Sequence, residues 1–216
     1  MLLSIKKNYL LEYLINILNL HFRDNHTIKD KDIKKSFNLS LDKIEYCHKN
    51  LKDIKKYTVK KNKAFFNHLN TDHFCTFLYF LSNTTFKNSK SKTICTKIYY
   101  LNKIMHGVDI LYSVDLPKIF NLQHPLGTVI GRANFKNYIT IYNNCTIGQN
   151  STNSKEMPFL SENVILRPNA SVLGNSYIGK NSEISVGSTV YNQRVEKDSV
   201  YFGNPIKNHI LKKFNK

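Results

Sequence analysis

Few side chains in the second half of the chain can do acid–base chemistry. His124 and His209 are the histidines beyond residue 106, and Asp109 and Asp115 lie upstream of His124. An imidazole titrates near neutral pH and can take the proton of an attacking hydroxyl group, while a carboxylate on its other ring nitrogen fixes the tautomer. His124 is therefore a candidate general base, although a histidine considered alone is more often a structural or surface group. Two histidines are too few for a metal site built from several of them, and we expect no bound metal.

Glycine and proline divide the chain of 216 residues into two parts. All eight glycines and all five prolines lie from Gly107 onward. A hundred residues without either breaker, rich in Leu, Ile, Lys and Asn, predict helices. We expect a helical domain over residues 1–106, a second domain over 107–203 and a C-terminal tail over 204–216.

Apolar residues at helical spacing support this reading of the first part. Three buried helix faces are predicted: Ile44, Cys47, Leu51 and Ile54, with Ser40 as a cap; Phe74, Phe77, Leu78 and Leu81, after Thr71; and Ile94, Ile98, Leu101 and Met105, ended by Gly107. The histidines of this part, including His73 and His106, are expected to be structural or surface groups.

Two features favour a cytoplasmic location. Leu10–Leu20 is apolar but interrupted by Glu12, Asn16 and Asn19, which predicts an amphipathic helix rather than a membrane span or a signal peptide. The four cysteines contain no CxxC pair, which is typical of free thiols in a reducing compartment.

The formal net charge of +17 raises the question of nucleic acid. The lysines are spread thinly, which is typical of a solvated surface, although such a surface also attracts polyanions and phosphorylated ligands. Residues 32–51 could form a helix-turn-helix with a basic second helix, but they carry no distinctive signature. We expect nucleic acid not to be the partner and keep DNA binding as an alternative.

The second part contains a six-residue repeat. Aliphatic residues recur at every sixth position, and small or β-branched residues follow the first five of them by four places. The aliphatic positions are Leu160, Leu166, Val172, Ile178, Ile184 and Val190, and the small positions are Val164, Ala170, Ser176, Ser182 and Ser188. Ile141 and Ile147 keep the same step upstream, with Cys145 and Ser151 as the small residues. Each hexapeptide is predicted to form one flat side of a triangular coil. Stacked coils bury a core that no single coil can bury.

The regular step fails between Ile147 and Leu160, which are thirteen residues apart. A solenoid accommodates an insertion as a loop on one face, and this face is often the functional one. We expect residues 149–158 to project from the column and to help enclose a site.

Five segments of the second part carry a resemblance. They are GVDI (107–110), QHPLGTVIGRA (123–133), ITIYNNCTIG (139–148), NASVLGN (169–175) and FGNPIK (202–207). Preceded by helices, they resemble the serine acetyltransferase group of hexapeptide acyltransferases over roughly residues 75–207, close to its polysaccharide O-acetyltransferases. The resemblance implies an α+β protein in which a left-handed parallel β-helix follows an N-terminal all-helical domain.

The resemblance also implies the catalytic residues and the donor. His124 corresponds to the general base, and Asp109, fifteen residues earlier, corresponds to the carboxylate that orients it. Acetyl-CoA is the implied donor, bound along a groove between subunits of a homotrimer, and a hexamer through the helical domain is also compatible. The implied CoA-lining residues are Gly148, Ala170, Val186 and Gly187, and Lys207 lies where a cation could meet a CoA phosphate.

The chain departs from the family pattern around the acceptor. Gln123 replaces the aspartate that usually precedes the base, and Glu156 and Met157 replace an Arg-His pair that holds serine. We therefore count these three residues as substrate-binding and expect a carbohydrate hydroxyl as the acceptor, with polysaccharide biosynthesis as the context. The alternatives are a true serine acetyltransferase and, in another class, a nucleic-acid-binding protein with a structural β-helix.

Overall fold

The computed structural model describes residues 1–51, 55–89, 92–149, 156–205 and 209–213, with Ser89 and residues 209–213 given as backbone only. The chain divides into two compact units, Met1–His106 and Gly107–Lys216. No helix in the described ranges combines the length and the hydropathy that a bilayer span requires.

The first unit is mainly helical. Its helices are α1 (Lys7–His21), α2 (Asp30–Asn50), α3 (Lys55–Thr58), α4 (Thr71–Ser89) and α5 (Lys92–His106). The apolar faces predicted for α4 and α5 are buried, with the exception of Met105, which is 40% exposed. In α1, Leu10, Leu14 and Leu18 are buried and Leu20 is exposed, as in an amphipathic helix. Phe37 of α2 meets Phe77 of α4 edge-on, with ring centroids 5.7 Å apart, at the centre of the core.

The helix-turn-helix reading is wrong, because α2 is one continuous helix of 21 residues. It begins at Asp30, and the side chain of Asp32 accepts a hydrogen bond of 2.8 Å from the backbone N–H of Lys29. Ser40 therefore does not cap a helix. Its hydroxyl donates to the carbonyl of Ser36, one turn earlier, at 2.7 Å. Leu51 directly follows α2 and is buried, and Ile54 lies outside the described residues.

The helical unit also contains a small sheet that the sequence did not predict. Its strands are β1 (Leu2–Leu3), β2 (Val59–Lys60) and β3 (Lys63–Phe66). β2 and β3 form a hairpin whose two turn residues, Lys61 and Asn62, have φ of 52° and 60°. Two positive φ values define the tight turn that matches the twist of a hairpin.

The second unit is a column of coils with three parallel faces. Face A contains β5 (Phe120–Leu122), β8 (Ile139–Ile141), β11 (Ile165–Leu166), β14 (Glu183–Ile184) and β17 (Ser199–Gly203). Face B contains β4 (Asp109–Ile110), β6 (Val129–Ile130), β9 (Thr146–Gly148), β12 (Ser171–Leu173) and β15 (Thr189–Tyr191). Face C contains β7 (Asn134–Phe135), β10 (Phe159–Leu160), β13 (Tyr177–Ile178) and β16 (Arg194–Val195). The chain passes from face A to B to C and then begins the next coil. Residues 209–213, in the predicted tail, form β18 (His209–Lys213), which pairs antiparallel with β17.

The six-residue repeat forms the core of this column. All six aliphatic residues from Leu160 to Val190 are completely buried. Residues one coil apart are paired in the sheets, as Val172 is with Val190. Burial of each such side chain contributes about 1.5–3 kcal/mol, which makes the stacked aliphatic residues the main source of stability in this unit.

The corners of the column depend on small and left-handed residues. The five small residues of the repeat, from Val164 to Ser188, are all buried. Asn163, Asn181 and Asp198 occupy one corner in successive coils with φ between 56° and 59°. The amide of Asn163 donates to Asn181 at 3.1 Å, and that of Asn181 donates to Asp198 at 2.9 Å. Asparagine and aspartate tolerate this conformation, so their frequency at the corners has a steric cause.

Candidate active site

The turn that carries His124 is longer than its counterparts. Eight residues separate the inward-facing Leu122 from Ile130, whereas six separate Ile141 from Ile147. The two extra residues push the chain out of the column where faces A and B meet, which we call the A/B edge. His124 is exposed there with φ of 51°, a conformation that histidine adopts more readily than most residues. The longer turn thus places this imidazole on the outside of the column.

Hydrogen bonds to both neighbouring coils fix this turn. Gln123 N–H donates to the carbonyl of Ile141 at 2.9 Å, and the Thr128 hydroxyl donates to the carbonyl of Tyr142 at 2.8 Å. On the other side, Gly127 N–H donates to the carbonyl of Gly107 at 2.9 Å. These bonds fix the backbone position from which His124 projects, and a general base requires such a defined position.

Asp109 lies at the same edge as His124, on the neighbouring coil. It begins β4, pairs with Val129 of β6, and donates its backbone N–H to the carbonyl of Thr128 at 2.9 Å. Its side chain is half-buried, whereas Asp115 is exposed in the segment between β4 and β5. The topology therefore brings the residue pair implied by the resemblance to one edge of the column.

A hydrogen-bonded group that sequence reasoning missed lies on face A beside this edge. Gln123, Tyr142 and Arg167 each follow the inward aliphatic residue of successive strands. Arg167 donates two hydrogen bonds to the carboxylate of Glu183, at 2.7 and 2.8 Å, and one to the Tyr142 hydroxyl at 3.3 Å. The hydrogen bonds that Arg167 donates to the Glu183 carboxylate raise the pKa of Arg167. The bidentate pair fixes the guanidinium on face A, two coils from the His124 turn.

The predicted CoA-lining residues are divided between two edges. Val186 and Gly187 lie at the A/B edge, where Val186 is 62% exposed and Gly187 has open space on its Cβ side. Ala170 lies at the same edge but inside the column, and both its N–H and its carbonyl bond to other coils or turns. Gly148 ends β9 at the opposite edge of face B, and Lys207 lies outside the described residues.

Glu156 and Met157 lie away from His124 in the same chain. They directly precede β10, where face B passes into face C, and both are half-buried. Most of the predicted projecting loop, residues 150–155, lies outside the described part of the chain. Within one chain, face B separates these two residues from the edge that carries His124.

The cysteines are not suited to act as nucleophiles. All four cysteines are free and buried, and burial raises the pKa of the Cys145 thiol to about 11. A thiol with this pKa is protonated at neutral pH and is a poor nucleophile. The described residues contain no group of three or more His, Cys, Asp or Glu side chains placed to hold a metal ion.

The hexapeptide-repeat β-helix is the class of fold that these coils define, and solved structures give its hand. A truncated serine acetyltransferase apoenzyme superimposes with a TM-score of 0.72 at 17% identity, over 95% of this chain and 85% of that chain. A serine acetyltransferase in complex with CoA superimposes with a TM-score of 0.66 at 18% identity, over 84% and 74%. The fold is therefore an N-terminal helical region followed by a left-handed parallel β-helix, as the resemblance implied.

Curated sequences are similar to the chain over about half its length. It is 35% identical over 108 residues to the serine acetyltransferase of Synechococcus elongatus, which is 49% of this chain and 44% of that protein. It is 30% identical over 127 residues to the serine acetyltransferase of Staphylococcus aureus, 58% of each. The chain spans about half the length of these curated relatives. No family model matches the chain.

These comparisons confirm the resemblance to the serine acetyltransferase group and contradict the carbohydrate acceptor. That prediction rested on the Arg-His pair that Glu156 and Met157 replace. The replacement of that pair shows that two contacts to serine are missing. It does not show which other groups hold the acceptor, and so it does not identify the acceptor. The proteins similar to this chain are named as serine acetyltransferases, and polysaccharide biosynthesis finds no support.

Proposed function

We propose that the chain is a serine O-acetyltransferase that uses acetyl-CoA. The observation that carries the proposal is the outward turn at His124, which presents an imidazole at the edge of a column similar to those of serine acetyltransferases. The sequence identity of 30–35% to serine acetyltransferases supports serine as the acceptor. The structural similarity to a serine acetyltransferase in complex with CoA supports acetyl-CoA as the donor.

In the proposed reaction, His124 takes the proton of the serine hydroxyl as that oxygen attacks the thioester carbonyl of acetyl-CoA. The tetrahedral intermediate then collapses, the carbon–sulfur bond breaks, and the imidazolium returns the proton to the leaving thiolate. O-acetylserine and CoA are the products. No acyl-enzyme forms, because the thioester is already activated, and this agrees with the inert, buried cysteines.

Asp109 is proposed to bind the ring nitrogen of His124 that faces away from the acceptor. A carboxylate there fixes the tautomer and stabilises the imidazolium as it forms. Its place at the same edge, on the neighbouring coil, supports this role.

The donor is proposed to lie along the A/B edge. Val186 and Gly187 offer an exposed apolar and backbone surface several coils from His124 along this edge. Ala170 contributes to the shape of the same edge from inside the column. Gly148 lies at the other edge of face B, where it would contact a CoA bound at the A/B edge of a second copy. The role of Lys207 remains a prediction from the sequence.

A homotrimer is proposed as the active form. Gln123 lies beside the base, but Glu156 and Met157 lie at the other edge of face B, so they can take part only if a neighbouring copy brings that edge to His124. Three columns side by side would complete three such sites. A hexamer through the helical unit and a cytoplasmic location remain predictions.

The proposal is tested by His124→Asn. Asparagine tolerates a φ of 51°, so the turn is kept while the base is removed, whereas alanine would add strain. We expect the release of CoA in the presence of L-serine and acetyl-CoA to fall at least about a hundredfold. The control is His26→Ala, which removes an exposed histidine of the helical unit and should leave the rate unchanged.

Two outcomes would contradict the proposal. If the His124→Asn variant keeps the native rate of turnover, His124 is not the general base. Acetyl-CoA consumption by the native chain with another amino acid or amine, and none with L-serine, would exclude the acceptor.

A further inference from the structure

A pocket in the helical unit is lined by donors of hydrogen bonds. It has a volume of about 360 Å³ and lies between the β2–β3 hairpin, α3 and the start of α4. Its lining residues are Lys56, Tyr57, Val59, Lys60, Phe65, Asn67, Asn70 and His73. Among these described residues two are cations, none is acidic, and the polar remainder carry N–H or O–H groups. Such a lining favours an anion.

His73 supplies a buried donor to this pocket. His73 is only 5% exposed, and its Nδ1 accepts a hydrogen bond of 3.1 Å from the backbone N–H of Asn67. Since burial lowers the pKa of His73 to about 3, the ring is neutral and its proton lies on Nε2. Within the described part of the chain, this Nε2–H has no hydrogen-bond acceptor.

The two lysines are similarly available. Lys56 lies over the ring of Tyr57 at 4.8 Å, and Lys60 lies over the ring of Phe65 at 5.3 Å. Neither ammonium pairs with a carboxylate of the described residues. The aromatic rings contact the two ammonium groups and hold them at the pocket, and both lysines are exposed, so a ligand can reach the same charges.

The start of α4 adds to the positive potential. This helix has 19 residues, and Asn70, which precedes it, accepts a hydrogen bond from the backbone N–H of His73 at 3.1 Å. A helix N-terminus carries partial positive charge from its unpaired N–H groups. Asp72 belongs to the same turn, but its side chain does not line the pocket.

We propose that this pocket binds a small phosphate monoester. Two lysines balance the charge of about −1.5 to −2 that a phosphate monoester carries at neutral pH. The His73 Nε2–H and the side-chain amides of Asn67 and Asn70 supply neutral donors to its oxygens. Tyr57 and Phe65 leave an apolar wall for the esterified group. The site lies wholly in the helical unit and does not depend on the proposed acetyl transfer.

Calorimetric titration of the full chain with phenyl phosphate and with inorganic phosphate, at fixed ionic strength, tests this site. We expect one saturable site per chain, with phenyl phosphate bound more tightly than inorganic phosphate. The double variant Lys56→Gln, Lys60→Gln should weaken the binding of phenyl phosphate at least tenfold.

The matched control is Lys61→Gln, Lys63→Gln, which removes the same charge from the β2–β3 hairpin beside the pocket, at two residues that do not line it. This control should change the affinity less than twofold. Equal weakening in the two double variants would show general attraction to a chain of charge +17 and would overturn the site, as would the absence of saturable binding. Thermal unfolding without phosphate checks that both variants are folded.

Discussion

At the scale of single residues, the proposed chemistry depends on where one imidazole is placed. His124 is held outside the column by a turn with two extra residues, and Asp109 starts the strand on the neighbouring coil. The identity of both residues could be predicted from the sequence because the family motif and its interval of fifteen residues are kept. The Arg167–Glu183 pair could not, because its members are sixteen residues apart and meet only when the coils stack.

Asp109→Asn tests the orienting carboxylate. Loss of its charge should reduce kcat by a factor of about ten or more and leave the KM for acetyl-CoA unchanged, because the imidazolium is then less stabilised. Initial rates across the pH range measure both quantities. Asp115→Asn, which makes the same chemical change at an exposed position, should leave kcat and its pH dependence unchanged. Equal losses in the two variants would exclude a special role for Asp109.

At the scale of elements, the six-residue step was predictable because the geometry of the coil fixes it. From Leu160 to Val190 each inward position holds an aliphatic residue, so the pattern is visible in the sequence. The sheet of the helical unit was not predictable, because strands of two to four residues such as β1 and β2 are too short to show alternation. The pocket around His73 was hidden for a related reason, since α3, the hairpin and α4 build it together.

Gly127→Ala tests the fixed turn. Gly127 has φ of 73°, and a Cβ at this position would collide with the side chain of Asn144 in the next coil. The comparison is Gly187→Ala, with φ of 67° and open space. Positive φ alone costs about 1–2 kcal/mol in either variant, so we expect Gly127→Ala to lower the free energy of unfolding further. Urea titration measures the free energy of unfolding of both variants. Equal losses would show that the side chain of Asn144 moves aside without destabilising the fold.

At the scale of the whole molecule, buried neutral histidines link the stability of the helical unit to pH. Burial lowers the pKa of His48 and of His106 to about 4, and that of His73 to about 3. His48 and His73 lie with ring centroids 4.5 Å apart, so protonation of one also disfavours protonation of the other. His73 and His106 were expected to be structural or surface groups, and both are buried in the unit, as is His48.

The sign of the pH dependence follows from these pKa values. The folded state holds the rings neutral, whereas the unfolded chain binds protons near pH 6.5, so acid favours unfolding. We expect the free energy of unfolding of the helical unit to be constant above pH 7 and to fall by a few kcal/mol between pH 6.5 and 4. Urea titrations at pH 7, 5.5 and 4.5 measure it, and His106→Gln should show a shallower fall. A flat profile would contradict the neutral histidines.

The reversed direction of β18 limits how columns can join. A parallel β-helix ends in strand edges that could accept the next coil from another molecule and so grow into a fibre. Here β18 runs against β17, so face A offers an edge of the opposite polarity to those of β15 and β16 on the other two faces. No incoming coil can match all three edges at once. Polymerisation end to end through this end of the column is thereby disfavoured.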